Sequence, residues 1–196
     1  MRFESMMPGL GQSAPDFALP DASGRIYTLK DLADSSGLLV AFICNHCPFV
    51  MHLLDEFVAF AAEYKPKGLA TVAISSNDVA AYPEDSPEKM GELAKSRKFT
   101  FPYLYDDTQQ VAKEYEAACT PDFFLYDKNR RLYYRGQFDG SRPSIPQAAG
   151  NILPVTGEDM RKAADALLAG KPAPEPQIAS RGCSLKWKPG NAPTWG

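Results

Sequence analysis

Two cysteines and a histidine lie between a strand pattern and a helix pattern, and this junction constrains the fold more than any other part of the chain. Residues 38–43 form a continuous apolar run, which is typical of a strand buried on both faces. Residues 48–64 carry apolar side chains at the spacing of an amphipathic helix. The chain therefore turns from a strand into a helix at Cys44, His46 and Cys47.

Strand and helix patterns alternate along the rest of the chain. Strands are predicted at residues 24–29, 38–43, 69–74, 101–105, 123–126 and 132–136, and helices at residues 48–64, 87–97, 107–115 and 156–168. From residue 38 to residue 168 the order is β-α-β-α-β-α-β-β-α. This order predicts a single α/β domain over residues 1–170.

The last part of the chain, residues 171–196, has a different composition. It contains five prolines and both tryptophans of the chain, Trp187 and Trp195, close to Cys183. Proline-rich segments are often disordered. Because tryptophan is costly to expose, we expect part of this tail to pack on the domain. A homodimer, in which the tail covers a partner chain, is the alternative.

Charge and hydropathy exclude several classes of function. The net charge is −3 and no Lys/Arg cluster is present, which argues against nucleic-acid binding. The longest apolar run has seven residues, 38–44, whereas a membrane helix needs about 20. The first residues include no apolar stretch of secretory length, so we expect no signal peptide and a cytoplasmic location. Cysteine pairs in that compartment are more often catalytic or metal-binding than structural.

Cys47 is predicted to be a reactive nucleophile. The free N–H groups in the first turn of a helix stabilise an anion, so a cysteine there reacts as a thiolate. Cys47 directly precedes Pro48, which favours the N-cap position for Cys47. A protonated His46 beside it would stabilise the thiolate further. Cys44 supplies the second thiol of a Cys-x-x-Cys spacing.

Two other interpretations of these residues are open. Free cysteines are often simply buried, in which case the chain would be a binding module without redox activity. Cys44, Cys47, His46 and His52 could also supply metal ligands. A zinc site of this kind usually needs a second Cys or His pair, and none lies at standard spacing. We therefore predict no metal and no other cofactor.

A family resemblance rests on the cysteine segment, on residues 119–123 and on the start of the chain. The residues at the start that carry it are Gly11, Ala14, Pro15, Asp16, Phe17, Leu19, Gly24 and residues 27–29. Together these segments resemble the thioredoxin superfamily and, within it, the peroxiredoxin-like AhpC/TSA (redoxin) branch. The resemblance covers roughly residues 8–168.

The resemblance implies both a fold and an activity. The fold is thioredoxin-like, with a central mixed sheet flanked by helices, an N-terminal extension and the C-terminal tail. The activity is thiol-disulfide exchange with protein or small-molecule disulfides, and an external thiol serves as the reductant. Pro48, Thr120 and Pro121 would contact the substrate, and the Thr120-Pro121 peptide bond would be cis.

The register of the resemblance distinguishes disulfides from peroxides as substrates. Phe42 and Tyr64 align with thioredoxins without a gap only if Cys47 takes the nucleophilic position. Peroxiredoxins carry a proline and a threonine that in this register fall on Val40 and Cys44. A thiol peroxidase that reduces hydroperoxides is therefore the alternative function rather than the first.

A nucleophilic thiol needs a resolving partner, because its attack leaves a mixed disulfide or a sulfenic acid. Cys44 is local in sequence, and the tail carries Cys183. The resemblance places Cys119, which precedes Thr120, near the active site. We predict a Cys47–Cys44 bridge first, and Cys119 or Cys183 as the next candidates.

An acidic loop over residues 76–87 follows the predicted strand at residues 69–74. Functional loops of α/β sheets gather at the carboxyl ends of strands, so this loop could shape a partner surface. An ordinary solvated turn is the alternative. His52 is expected to be structural or exposed rather than catalytic.

Overall fold

The computed structural model describes residues 2–146 and 149–195. Its strands are β1 (Arg2–Glu4), β2 (Ala18–Pro20), β3 (Ile26–Thr28), β4 (Gly37–Phe42), β5 (Leu69–Ser75), β6 (Tyr103–Tyr105), β7 (Cys119–Thr120), β8 (Asp122–Asp127), β9 (Leu132–Arg135) and β10 (Arg181–Ser184). Its α-helices are α1 (Pro48–Tyr64), α2 (Pro87–Ser96), α3 (Gln110–Glu114) and α4 (Glu158–Leu168).

Five strands in the order β6-β5-β4-β8-β9 form the main sheet. The central strand β4 pairs in parallel with β5 and antiparallel with β8, so the sheet is mixed. Every residue of β4 is buried. Because successive side chains of a strand point to opposite faces, its apolar run serves two cores at once.

The two faces of the main sheet are covered differently. Leu39 and Ala41 of β4 face a core that contains the buried sides of α1 and α4 and Met90 of α2. Leu38 and Val40 face the other core, which contains α3 and the segment around residues 17–19. This layering places the N-terminus of α1 at the carboxyl end of β4.

A second, three-stranded sheet has the order β1-β10-β7, and all its pairs are antiparallel. It joins both ends of the chain to the short strand β7. Pro121 alone separates β7 from β8, so the two sheets meet at this residue. The Thr120-Pro121 bond is cis, which confirms the prediction from the resemblance.

The observed elements confirm the predicted α/β class and most of the predicted segments. The helix predicted at residues 107–115 is shorter because Gln109, just before α3, adopts a left-handed conformation with φ 62°. The prediction missed β1, β2, β7 and β10, which are too short to show a periodic pattern. No helix in the described part of the chain is long and apolar enough to cross a membrane.

Candidate active site

Cys47 lies at the N-terminus of α1, where the sequence predicts it. It is the N-cap residue, with Pro48 at the first helical position. Its side chain has no exposed surface, and its Sγ donates to the Thr120 carbonyl oxygen over 3.1 Å. The helix end thus aims the sulfur at the residue before the cis-proline.

The surroundings of Cys47 favour its thiolate. Contacts with the thiols of Cys183 and Cys44, followed by the backbone N–H groups of Val50 and Cys183, lower the pKa of Cys47 to about 2, against the opposing effect of burial. The Thr120 carbonyl also opposes ionisation, because it accepts the thiol proton. Because several donors and, among the described residues, only this one acceptor interact with the Cys47 sulfur, the net effect is a lowered pKa of Cys47.

Cys44 precedes Cys47 by three residues and stays protonated. Its Sγ is 3.4 Å from the Thr120 hydroxyl oxygen, and 1% of its surface is exposed. The contact with Cys47, followed by burial and the charge of Asp85, raises the pKa of Cys44 well above its ordinary value. The Cys44 thiol therefore acts as a proton donor to Cys47 in this state.

Cys183 is the thiol that the tail brings to this region, on β10. Cys183 pairs with Thr120 in the register of β10 and β7, and it is partly exposed. The contact with Cys47, followed by burial and the charge of Cys47, raises the pKa of Cys183. Cys47 thus has one thiol neighbour from its own turn and one from the tail.

Cys119 is oriented differently from the other three cysteines. Its Sγ faces the carbonyl oxygens of Pro121 and Ser180, at 3.5 and 3.9 Å. Burial is the largest of the effects that raise the pKa of Cys119 well above its ordinary value. Its role as a resolving thiol stays a prediction, and Cys44 and Cys183 rather than Cys119 have the largest effects on the pKa of Cys47.

His46 contacts the acidic loop rather than donating to Cys47. Its Nδ1 lies 2.7 Å from Asp85 Oδ2, and its ring stacks on Tyr82 with centroids 5.3 Å apart. The Asp85 carboxylate raises the pKa of His46. The predicted stabilisation of the Cys47 thiolate by His46 is not among the interactions that dominate the pKa of Cys47.

One group of side chains in this region has the donor atoms for a metal ion. Ligand atoms of Cys44, His46 and Asp85 lie within 4.8 Å of one another. A sulfur, a nitrogen and an oxygen would suit zinc. Asp85 already accepts from the Asn45 backbone N–H and the Asn77 amide, each at 2.8 Å. The prediction of no metal stays a prediction.

Of the three residues assigned to substrate contact, Thr120 contacts the Cys47 sulfur through its carbonyl oxygen, and Pro48 and Pro121 are the chain neighbours of Cys47 and Thr120. Pro48 is exposed, whereas Thr120 and Pro121 are buried. The backbone of Thr120 is covered by β10, which pairs with it. The edge that the resemblance assigns to a substrate is therefore occupied by the chain's own tail.

The tail is held on the domain by backbone hydrogen bonds from both sides. The Lys186 N–H donates to Asn77 Oδ1 over 2.9 Å, and the Lys186 carbonyl accepts from the Asp78 N–H over 2.8 Å. Trp187 packs on the core that contains α3, and Trp195 packs edge-on against Trp187. The acidic loop at residues 76–87 thus supports both the tail and His46.

Two residues of the site carried no signal in the sequence. Asp85 is fully buried, but nothing in the sequence distinguishes it from the other carboxylates of its loop. Gly182 lies against β7, where an added Cβ would be 1.9 Å from the Thr120 carbonyl oxygen. By contrast His52 contacts Ser141 through Nε2 at 3.1 Å, away from the thiols, in keeping with a structural role.

A helix-capping cysteine that faces a cis-proline beside a mixed sheet defines a thioredoxin-like thiol protein. Within that class, the sequence profile of the AhpC/TSA family matches residues 10–135. The chain belongs to the AhpC/TSA family.

Three known proteins show how far the likeness extends. The thiol-disulfide oxidoreductase ResA of Geobacillus thermodenitrificans is 28% identical over 132 residues, which is 66% of this chain and 70% of ResA. The crystal structure of hypothetical protein SMc02350 from Sinorhizobium meliloti is 51% identical, with a TM-score of 0.91 over 95% of this chain and 99% of that one. Peroxidoxin BcpB from Mycobacterium tuberculosis shares the fold at 20% identity, with a TM-score of 0.58 over 82% of this chain and 96% of that one.

Proposed function

We propose that this chain is a thiol-dependent oxidoreductase in which Cys47 is the nucleophile. The observation that carries the proposal is the placement of the Cys47 sulfur at the N-terminus of α1, against Thr120 and between two thiols that lower its pKa. The likeness to ResA, whose name states thiol-disulfide oxidoreductase activity, supports the same chemistry.

The first step is thiol-disulfide exchange. The Cys47 thiolate attacks one sulfur of a substrate disulfide, the S–S bond breaks, and the other half leaves as a thiolate. A thiolate of low pKa is present at neutral pH without a general base. An external thiol then reduces the oxidised protein and closes the cycle. We place this activity in the cytoplasm, where such thiols are kept reduced.

A hydroperoxide is the second candidate substrate. The Cys47 thiolate would attack the terminal peroxide oxygen, break the O–O bond and become a sulfenic acid. The likeness of the chain to a putative peroxiredoxin from Mycobacterium tuberculosis, which is 28% identical over 101 residues, supports this candidate. Against it, Val40 and Cys44 stand where peroxiredoxins carry a proline and a threonine.

The rate of alkylation of each cysteine against pH tests the proposal. On the reduced protein, iodoacetamide labelling read by mass spectrometry should show Cys47 at its full rate below pH 7. Cys44, Cys119 and Cys183 should react only in alkaline solution, because their pKa values are raised. A Cys47 rate that rises with a midpoint near the ordinary thiol pKa of about 8.5 would refute the activated nucleophile.

The substrate class is decided by a second measurement. Oxidation of the reduced protein is followed with a small disulfide and with hydrogen peroxide at equal concentrations. Cys47→Ser is the control, and it should abolish the fast phase with either oxidant. A faster reaction with peroxide would transfer the proposal to the peroxidase alternative.

A further inference from the structure

We propose that β10 is a built-in substrate strand, which occupies the edge of β7 at Thr120 and presents Cys183 to Cys47 as its resolving thiol. This inference rests on the proposed function and deepens it. It also limits the substrates to small oxidants, because a polypeptide cannot pair with an edge that is already filled.

The register of the small sheet brings the two sulfurs together. Cys183 lies opposite Thr120 in an antiparallel pair, so their side chains share one face of the sheet. The Thr120 hydroxyl contacts Cys44 on that face, and the Thr120 carbonyl accepts from Cys47. Cys183 therefore lies on the same side of β7 as the Thr120 groups that contact Cys44 and Cys47, and its thiol lowers the pKa of Cys47, whereas Cys119 points to the other face.

Gly182 allows the close approach of β10. Its α-carbon lies so near β7 that a Cβ would be 1.9 Å from the Thr120 carbonyl oxygen and 3.1 Å from the Pro121 nitrogen. Real Cβ atoms do not approach an oxygen this closely, so no other residue fits. Beyond the two strands, the pairing continues with a hydrogen bond from the Leu185 N–H to the Ala118 carbonyl oxygen, at 3.1 Å.

The resolution step needs no oxidant other than the substrate disulfide. Once Cys47 carries a mixed disulfide, the Cys183 sulfur loses its proton to water and attacks the Cys47 sulfur. The Cys47–Cys183 bond forms, and the second substrate half leaves as a thiolate that takes up a proton. Two electrons have then passed from Cys47 and Cys183 to one substrate disulfide.

The interaction with the Cys47 thiolate keeps Cys183 protonated, and therefore unreactive, before a substrate has reacted. The Cys47 thiolate holds the proton on Cys183 and so raises the pKa of Cys183. A mixed disulfide at Cys47 carries no charge, so this effect disappears, while the nearby Lys186 still lowers the pKa of Cys183. Cys183 therefore becomes a better nucleophile at the stage when resolution is required.

The tail also limits which substrates reach Cys47. An extended polypeptide that binds by strand addition needs a free strand edge. The edge of β7 at Thr120 is paired with β10, and Cys47 has no exposed surface. A small disulfide or hydroperoxide requires only a local opening beside the exposed Pro48, whereas a polypeptide requires the release of β10.

The resolving thiol is identified with one equivalent of 4,4′-dithiodipyridine, which releases a coloured thione at each exchange. The wild type should release two thiones per reagent molecule and form a Cys47–Cys183 bridge. Cys183→Ser should release one thione and keep the other on Cys47, and Cys44→Ser should still form the bridge. Trypsin separates the Cys183 peptide from the one that carries both Cys44 and Cys47, so mapping distinguishes the bridges.

The outcomes separate the inference from the proposed function. A Cys44–Cys47 bridge in the wild type, with two thiones from Cys183→Ser, would overturn the inference and leave the nucleophile in place. No reaction at Cys47 in any variant would overturn both.

Gly182→Ala tests the substrate limit, because the added methyl group forces β10 away from β7. We expect its rate with a polypeptide disulfide such as insulin, relative to 4,4′-dithiodipyridine, to exceed the wild-type ratio by about tenfold, as an exposed strand edge permits strand addition. Gly140→Ala is the matched control, since its Cβ meets only the Leu153 side chain, at 3.5 Å. An equal ratio in folded Gly182→Ala would overturn the limit. If Gly182→Ala does not fold, the wild type alone tests the limit. A wild-type protein that reduces insulin as fast as it reduces 4,4′-dithiodipyridine would overturn it.

Discussion

The two sheets of the molecule meet at Pro121 but are built in different ways. The main sheet consists of strands from the middle of the chain, residues 37–135, and its central strand β4 is buried throughout. The small sheet joins the two ends of the chain to the two residues of β7. The first sheet places Cys47 at the N-terminus of α1, whereas the second places Cys183 opposite Thr120, whose carbonyl contacts Cys47.

Because of this difference, we expect changes in the two sheets to affect stability and the reactivity of Cys47 differently. A change in the main sheet should lower the free energy of unfolding and leave the reactivity of Cys47 alone. A change in the small sheet should alter reactivity even where its effect on stability is modest. Four experiments test this difference between the two sheets.

Matched leucine truncations in the two sheets should give the largest effects. Leu39 in β4 and Leu185 beside β10 are both buried, and either Leu→Ala change should cost about 2–5 kcal/mol of unfolding free energy. Urea unfolding measures this cost. Only Leu185→Ala should also move the midpoint of Cys47 alkylation to higher pH, because it loosens the packing of β10 beside Cys47. Equal midpoints in the two variants would remove the contrast.

Asp122, the residue after Pro121, should make stability depend on pH. It is fully buried, burial raises the pKa of Asp122 to about 7, and its Oδ1 has no hydrogen-bond partner within the described ranges. The folded state therefore holds a proton that the unfolded state releases above its pKa of 3.8. Stability is greatest below that value and is lost as the pH rises to 7, by up to about 4 kcal/mol.

The measurement is urea unfolding of the reduced protein between pH 4 and 8. Asp122→Asn should flatten the dependence, whereas Asp34→Asn, at an exposed position, should keep the wild-type slope. Parallel curves for wild type and Asp122→Asn would show that the proton is bound elsewhere.

Cys183→Ala and Cys183→Ser should differ in their effect on Cys47. Contact with the Cys183 thiol is the largest of the causes that lower the pKa of Cys47. Serine keeps a donor and alanine does not, so alanine should move the midpoint of Cys47 alkylation upward by about one pH unit more than serine, the value of one hydrogen bond to a charged group. Coincident pH profiles would mean that β10 does not set the charge of Cys47.

Asp85→Asn should have the smallest effect on the thiols. Without the carboxylate the pKa of His46 should fall, and NMR titration of its ring measures this, with His52 as the internal control. Because His46 contacts Asp85 and Tyr82 rather than Cys47, alkylation of Cys47 should change by less than about threefold, or about 0.7 kcal/mol. A larger change would restore the predicted role of His46 in activating Cys47.

The sequence was sufficient to predict most of the main sheet and the position of Cys47. The apolar run at residues 38–43 and the helix pattern that begins at Pro48 place Cys47 at a helix N-terminus without knowledge of the rest of the fold. The resemblance added the cis-proline opposite it. These features are local, or carried by a family motif, and such signals are visible in a single sequence.

The partners of Cys47 and His46 could not be predicted in the same way. The pairing of Cys183 with Thr120 joins strands of two and four residues that lie far apart in the chain and carry no periodic pattern. The contact of His46 with Asp85 depends on how the loop at residues 76–87 folds back. Sequence reasoning produced three candidate resolving thiols because tertiary pairing, rather than local propensity, decides between them.

The pairing of β1 with β10 has a practical consequence for anyone who handles this protein. The first residues of the chain lie one strand away from the segment that carries Cys183. An affinity tag or a fused domain joined to β1 would therefore lie close to the strand that carries Cys183, and kinetic work calls for a cleavable tag. Conversely, a fluorescent reporter fused there would sense movement of β10 on oxidation, so the same proximity makes the chain a scaffold for a redox biosensor.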